Sequence, residues 1–85
     1  MTDRIAVVTG AGGELGRATS TALSAAGFTV VAVDRNERGL RELPAGIRSE
    51  VADTTDPAVP AELIGRIAGD VGPPAVLVNT MTGEA

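Results

Sequence analysis

Eighty-five residues, 44% of them apolar, are enough for one small globular domain and too few for two. Seven arginines stand against eleven acids with no lysine or histidine, and a net charge of −4 disfavours nucleic acid as a partner. Without cysteine there is neither a disulfide framework nor a thiolate, and without histidine a metal would need oxygen ligands, for which no acidic cluster has calcium-loop spacing.

In chain order, "RIAVV" (4–8) is short, β-branched and apolar, and reads as a buried strand ending at Thr9-Gly10. "ELGRATSTALSAA" (14–26) follows as a helix, with Leu15, Ala18, Ala22, Leu23, Ala25 and Ala26 as its expected buried stripe and Gly27 as its stop. "FTVVAV" (28–33) is a second strand, apolar almost throughout, as in a parallel sheet covered on both faces. "DRNERGLREL" (34–43) is a weaker helix, with Asn36 as N-cap and Glu37/Arg41 as an i,i+4 pair. "IRSEVA" (47–52) alternates like a strand near a sheet edge. Residues 56–72 form a third helix, with Asp56 as cap, Pro57 in its first turn and Val59, Leu63, Ile64 and Ile67 facing inward. "AVLVN" (75–79) is a fourth strand. The order βαβαβαβ predicts right-handed crossovers and an α/β fold with a parallel, doubly wound sheet, residues 1–85 being one domain cut off after its fourth strand. No apolar run approaches the ~20 residues of a membrane span, and "MTDRIAVV" is too short for a signal peptide. The expected location is the cytosol.

The stretch "TGAGGELG" (9–16) sits between the first strand and the first helix. There, glycines allow a tight turn and let backbone N–H groups approach a diphosphate, while the helix start contributes partial positive charge. G-x-G-x-x-G fails because Leu15 stands at its third glycine. T-G-x-x-x-G-x-G fits except for Glu14 in place of the middle glycine, and T-G-x-x-G-x-x-G fits through Thr9, Gly10, Gly13 and Gly16. With these residues in a βαβ unit, the chain resembles the N-terminal, cofactor-binding part of the short-chain dehydrogenase/reductase family, NAD(P)-dependent enzymes with a Rossmann-type sheet. Glu14 in the first helical turn interacts favourably with the helix dipole by roughly 0.3–1 kcal/mol. Beside a diphosphate its carboxylate is repulsive, so it is expected to point to solvent.

Asp34 ends the second strand eighteen residues beyond Gly16, where an acid can accept from the adenosine ribose hydroxyls and repel a 2′-phosphate. Arg35 beside it could pair with that phosphate, but the loop itself has no basic residue, so NAD is favoured over NADP. The resemblance implies that Asp53 contacts the adenine amino group, assisted by the backbone of Thr54. It also aligns "VLVNTMTG" (76–83) with the family's "LVNNAG", Asn79 matching the first asparagine and lying along the cofactor ribose. The cofactor-binding candidates are therefore Gly10, Gly13, Glu14, Leu15, Gly16, Asp34, Arg35, Asp53, Thr54 and Asn79.

The family's proton transfer rests on a tyrosine and a lysine on a later helix, and these residues include neither. Ser20, Ser24 and Ser49 have no histidine to activate them and are read as structural. The leading expectation is a dinucleotide-binding segment that is not catalytically competent alone, with no catalytic or metal-binding residue of its own. A non-catalytic dinucleotide or adenylate sensor and an inert interaction unit are the alternatives. An apolar fourth strand left at the sheet edge predicts self-association.

Overall fold

The computed structural model describes residues 4–53, 56 and 59–80. Four parallel strands, β1 (Ile5–Thr9), β2 (Thr29–Asp34), β3 (Arg48–Val51) and β4 (Val76–Asn79), form one sheet in the order β3-β2-β1-β4. β1 pairs with β2 from Ile5↔Thr29 to Thr9↔Val33 and with β4 from Ala6↔Val76 to Thr9↔Asn79. β3 lies outside β2, Val51 opposite Asp34. This is the strand order of a Rossmann sheet up to its fourth strand, so the Rossmann-type α/β expectation holds. Because the strands are parallel, their C-terminal ends share one rim.

The central strands are buried on both faces, which is why their sequences are continuous runs of valine, isoleucine and alanine. On one face, Val8, Ala11, Val30, Ala32 and Leu40 form a core joined by Leu23 of α1 (Glu14–Ala25) and by Phe28, Leu43, Ile47 and Val78. On the other, Ile5, Val7, Val31 and Val33 meet Leu63 and Ile67 of α3 (Val59–Asp70), two of the four residues expected to face inward from that helix; Val59 and Ile64 are only half-buried. Toward β3 the apolar cover gives way to charge. Arg66 reaches Glu50 at 2.9 Å, and Arg48 reaches Asp70 at 3.3 Å. Such partly exposed pairs contribute little energy each.

The inward face of α1 differs from the expected stripe. Gly16 and Ser20 are its buried residues and Leu23 is half-buried, whereas Leu15 is 64% exposed and Ala18, Ala22, Ala25 and Ala26 face solvent. Close approach, not hydrophobicity, selects the face: a Cβ on Gly16 would collide with the carbonyl of Gly10 and the Cα of Ala11. Ser20 has its hydroxyl buried with no hydrogen-bond partner, at a cost on the order of 1–3 kcal/mol.

The second helix, α2 (Glu37–Leu40), is only one turn long. Asn36 caps it as expected, its Oδ1 accepting from the Gly39 amide at 3.2 Å, and Arg41 pairs with Glu37 at 3.5 Å. The described part of the third helix begins at Val59, whose amide donates to the Asp56 backbone carbonyl at 3.0 Å. Pro57 lies outside the described residues.

Candidate functional site: the glycine turn at the carboxyl rim of the sheet

Consecutive strands move outward from β1 to β2 to β3, and the chain then crosses back to place β4 on the other side of β1. The crevice at the rim between β1 and β4 is thus the switch point of the sheet, the place where open α/β sheets receive ligands. The glycine turn fills that position.

Its shape follows from a few enforced contacts. Gly10 has φ 73°, a left-handed conformation that favours glycine. The Ala11 amide donates to the Val33 carbonyl at 3.0 Å and the Gly13 amide to the Gly10 carbonyl at 3.2 Å. A Cβ on Gly12 would sit 3.0 Å from both the Asn36 carbonyl and Asp34 Oδ2, and one on Gly39 would strike the Gly12 carbonyl. Gly13 differs: the nearest atom to a Cβ there is the Gly10 carbonyl oxygen at 3.5 Å, an ordinary contact. Gly10, Gly12 and Gly16 are thus needed by the fold itself, while at Gly13 the protein leaves room.

Gly13 is also the N-cap of α1, in an extended conformation with no side chain capping the helix. The first-turn amides of α1 consequently present donors and the positive end of the helix dipole at the rim. Glu14 lies in that turn, exposed as expected, and Leu15 beside it is also exposed. Residues able to hold an anionic group here are the first-turn amides of 14–16, a donor set suited to phosphate oxygens.

Asp34 ends β2 next to this turn. Its Oδ2 accepts from the Gly12 amide at 2.8 Å and its Oδ1 from the Asn36 amide at 2.9 Å. Arg35 is exposed at the same corner, and Asp53, also exposed, follows β3 on the same rim, where the Ala52 amide donates to the Asp34 carbonyl at 3.1 Å. The carboxylates of Asp34 and Asp53 thus belong to the ends of adjacent strands. Thr54 lies outside the described residues. On the opposite side, Asn79 Oδ1 accepts from the Thr9 hydroxyl at 3.1 Å. The structure therefore brings the turn, Asp34, Arg35, Asp53 and Asn79 to one rim.

Three residues at this rim escaped the sequence reading. Gly12 is a fixed position only in the glycine pattern that fails at Leu15, and a variable one in the two that fit better. Arg17 donates from Nη1 to the Gly12 carbonyl at 2.6 Å, and its place one turn into α1 was the available clue. Thr80 places its hydroxyl 2.9 Å from the Thr9 carbonyl and 3.1 Å from that of Gly10, pinning the end of β4 to the turn. It stands where the family pattern has an asparagine.

Among the described residues no group of His, Cys, Asp or Glu is arranged to hold a metal ion, and no helix is long and apolar enough to cross a membrane.

Residues 4–84 match the family model for short chain dehydrogenases. L-xylulose reductase of Cavia porcellus is 42% identical over 80 residues, covering 89% of this chain and 31% of that protein. The 2,3-dihydro-2,3-dihydroxybenzoate dehydrogenase of Bacillus subtilis (strain 168) is 32% identical over 83 residues, covering 89% and 32%. Among solved structures, that of YwfH, described as an NADPH-dependent reductase involved in bacilysin biosynthesis, superposes with a TM-score of 0.86 at 25% identity over 99% of this chain and 37% of that one. The chain spans about a third of the length of the curated relatives it matches. With a match along almost its whole length, the chain belongs to the short-chain dehydrogenase family.

Proposed function

We propose that residues 1–85 are a single, partial dinucleotide-binding domain, the NAD(P)-binding segment of an oxidoreductase acting on an alcohol/carbonyl pair, in the cytosol. The observation that carries this reading is the uncapped start of α1 at the switch point, with open room over Gly13 and a carboxylate at the end of the neighbouring strand. When bound, the cofactor supplies or accepts the hydride. This chain's own residues bind and orient it. The amides of 14–16, with Gly10 and Gly13 shaping the turn and the side chains of Glu14 and Leu15 flanking it, receive the diphosphate. Asp34 takes the adenosine ribose hydroxyls, Asp53 with the backbone of Thr54 takes the adenine amino group, and Asn79 lines the far ribose.

NAD is preferred over NADP. Both oxygens of Asp34 already accept backbone N–H bonds, which hold the carboxylate at the corner where a 2′-phosphate would have to sit. Arg35, exposed beside it, favours the phosphate instead. Hydride transfer is not expected of this segment alone, since a proton donor of the family's tyrosine–lysine kind is absent from its sequence. A second copy pairing along β4 is its expected protein partner. Calorimetric titration tests the binding reading: saturable heat with NAD, and an affinity at least about tenfold lower for NADP, are expected for a carboxylate facing an added phosphate. No saturation with either nucleotide overturns the reading, and equal affinities overturn the preference.

A further inference from the structure

Resting on that reading, we propose a second role for Asp34: it is a positioning residue for the diphosphate loop, so one carboxylate governs both ends of the adenosine diphosphate. The loop hangs on the Gly12 peptide, which is gripped from three sides. Its N–H is taken by Asp34 Oδ2 at 2.8 Å, its carbonyl by Arg17 Nη1 at 2.6 Å, and its back rests against Gly39, where even a methyl group would collide with it. The second oxygen of Asp34 is fixed in turn by the Asn36 amide at 2.9 Å, at the N-cap of α2. Gly13, the cap of α1, is the next residue along the chain. A change in the Gly12 peptide is therefore passed directly to the amides that face the diphosphate.

Each carboxylate oxygen has two acceptor sites, so Asp34 can hold the loop and still accept from a ribose hydroxyl. Charge-assisted bonds of this geometry are the strong kind, and losing one leaves a loop amide without its partner.

Inorganic pyrophosphate separates this role from ribose binding, since it has no ribose. Removing a negative charge from the rim should by electrostatics alone strengthen pyrophosphate binding in Asp34→Asn and leave Asp34→Glu unchanged. A positioning role predicts the opposite: both variants lose about fivefold or more in pyrophosphate affinity, because neither side chain can meet the Gly12 and Asn36 amides together. The affinities are read from amide shifts of residues 13–15 in labelled protein, with thermal melts showing whether each variant folds. If the variants do not fold, the unsubstituted chain still decides. Saturating pyrophosphate should move the Asp34 side-chain carboxyl carbon resonance together with the Gly12 amide. Unchanged or tighter pyrophosphate binding in the variants, or an Asp34 resonance that stays still while residues 13–15 shift, overturns the proposal. Pyrophosphate that shifts no amide of the turn overturns the diphosphate reading, and this proposal with it.

Discussion

Glu14 carries the conflict between folding and binding in this chain. Its carboxylate sits in the first turn of α1, where it favours the helix, and among the described residues no salt bridge reaches it. The nearest cation in sequence, Arg17, is engaged with the Gly12 carbonyl. A bound diphosphate would therefore meet an unneutralised charge at the one turn meant to attract it. Glu14→Gln should tighten NAD binding about three- to tenfold at low ionic strength, a gap that closes towards 1 M salt as the Debye length falls to about 3 Å. It should lower stability slightly, by roughly 0.3–1 kcal/mol, through loss of the dipole interaction. Calorimetry across a salt series reads the first effect and thermal melting the second. An affinity that is unchanged, or weaker, at low salt contradicts this account of the residue.

Of the two outer strands, β4 is the apolar one, and it is only half covered. Leu77 pairs in register with the fully buried Val7, so it lies on the α3 face, yet it is 62% exposed because Leu63 and Ile67 cover only the middle of that face. Among the described residues no strand pairs with the outer edge of β4, and an apolar edge of that kind recruits another strand. Sedimentation velocity should show concentration-dependent association of the chain, and Leu77→Lys should shift it strongly to monomer. A chain that stays monomeric at all concentrations, or association unaffected by Leu77→Lys, contradicts this.

The strands were legible because both-face burial writes itself as runs such as "FTVVAV". The buried face of α1 was not, because its contacts are made by Gly16 and Ser20, while the alanines that suggested a stripe point outward. Hydrophobic periodicity cannot register a helix selected for thinness. The glycine turn and Asp34 were readable from spacing within one βαβ unit. The hold of Thr80 on Gly10 and the charge bridge from Arg48 to Asp70 join residues far apart in sequence, where spacing has nothing to say.

At the scale of the whole molecule, two sheet faces, three crossovers and the glycine turn converge on one rim, and everything proposed for this chain depends on what that rim receives. Gly13 isolates the question. Gly10 and Gly16 cannot be changed without disturbing the fold, but at Gly13 the backbone is extended, φ −82° and ψ 172°, and a Cβ meets nothing closer than 3.5 Å. A valine there is compatible with the folded chain, at about 1 kcal/mol for a poorer helix cap, and would project into the space assigned to the diphosphate. The most direct measurement is therefore NAD titration of Gly13→Val beside the unsubstituted chain, with melting curves of both. The account predicts a nearly unchanged melting transition and the loss of saturable binding. A folded Gly13→Val that binds NAD as tightly as the unsubstituted chain would contradict it.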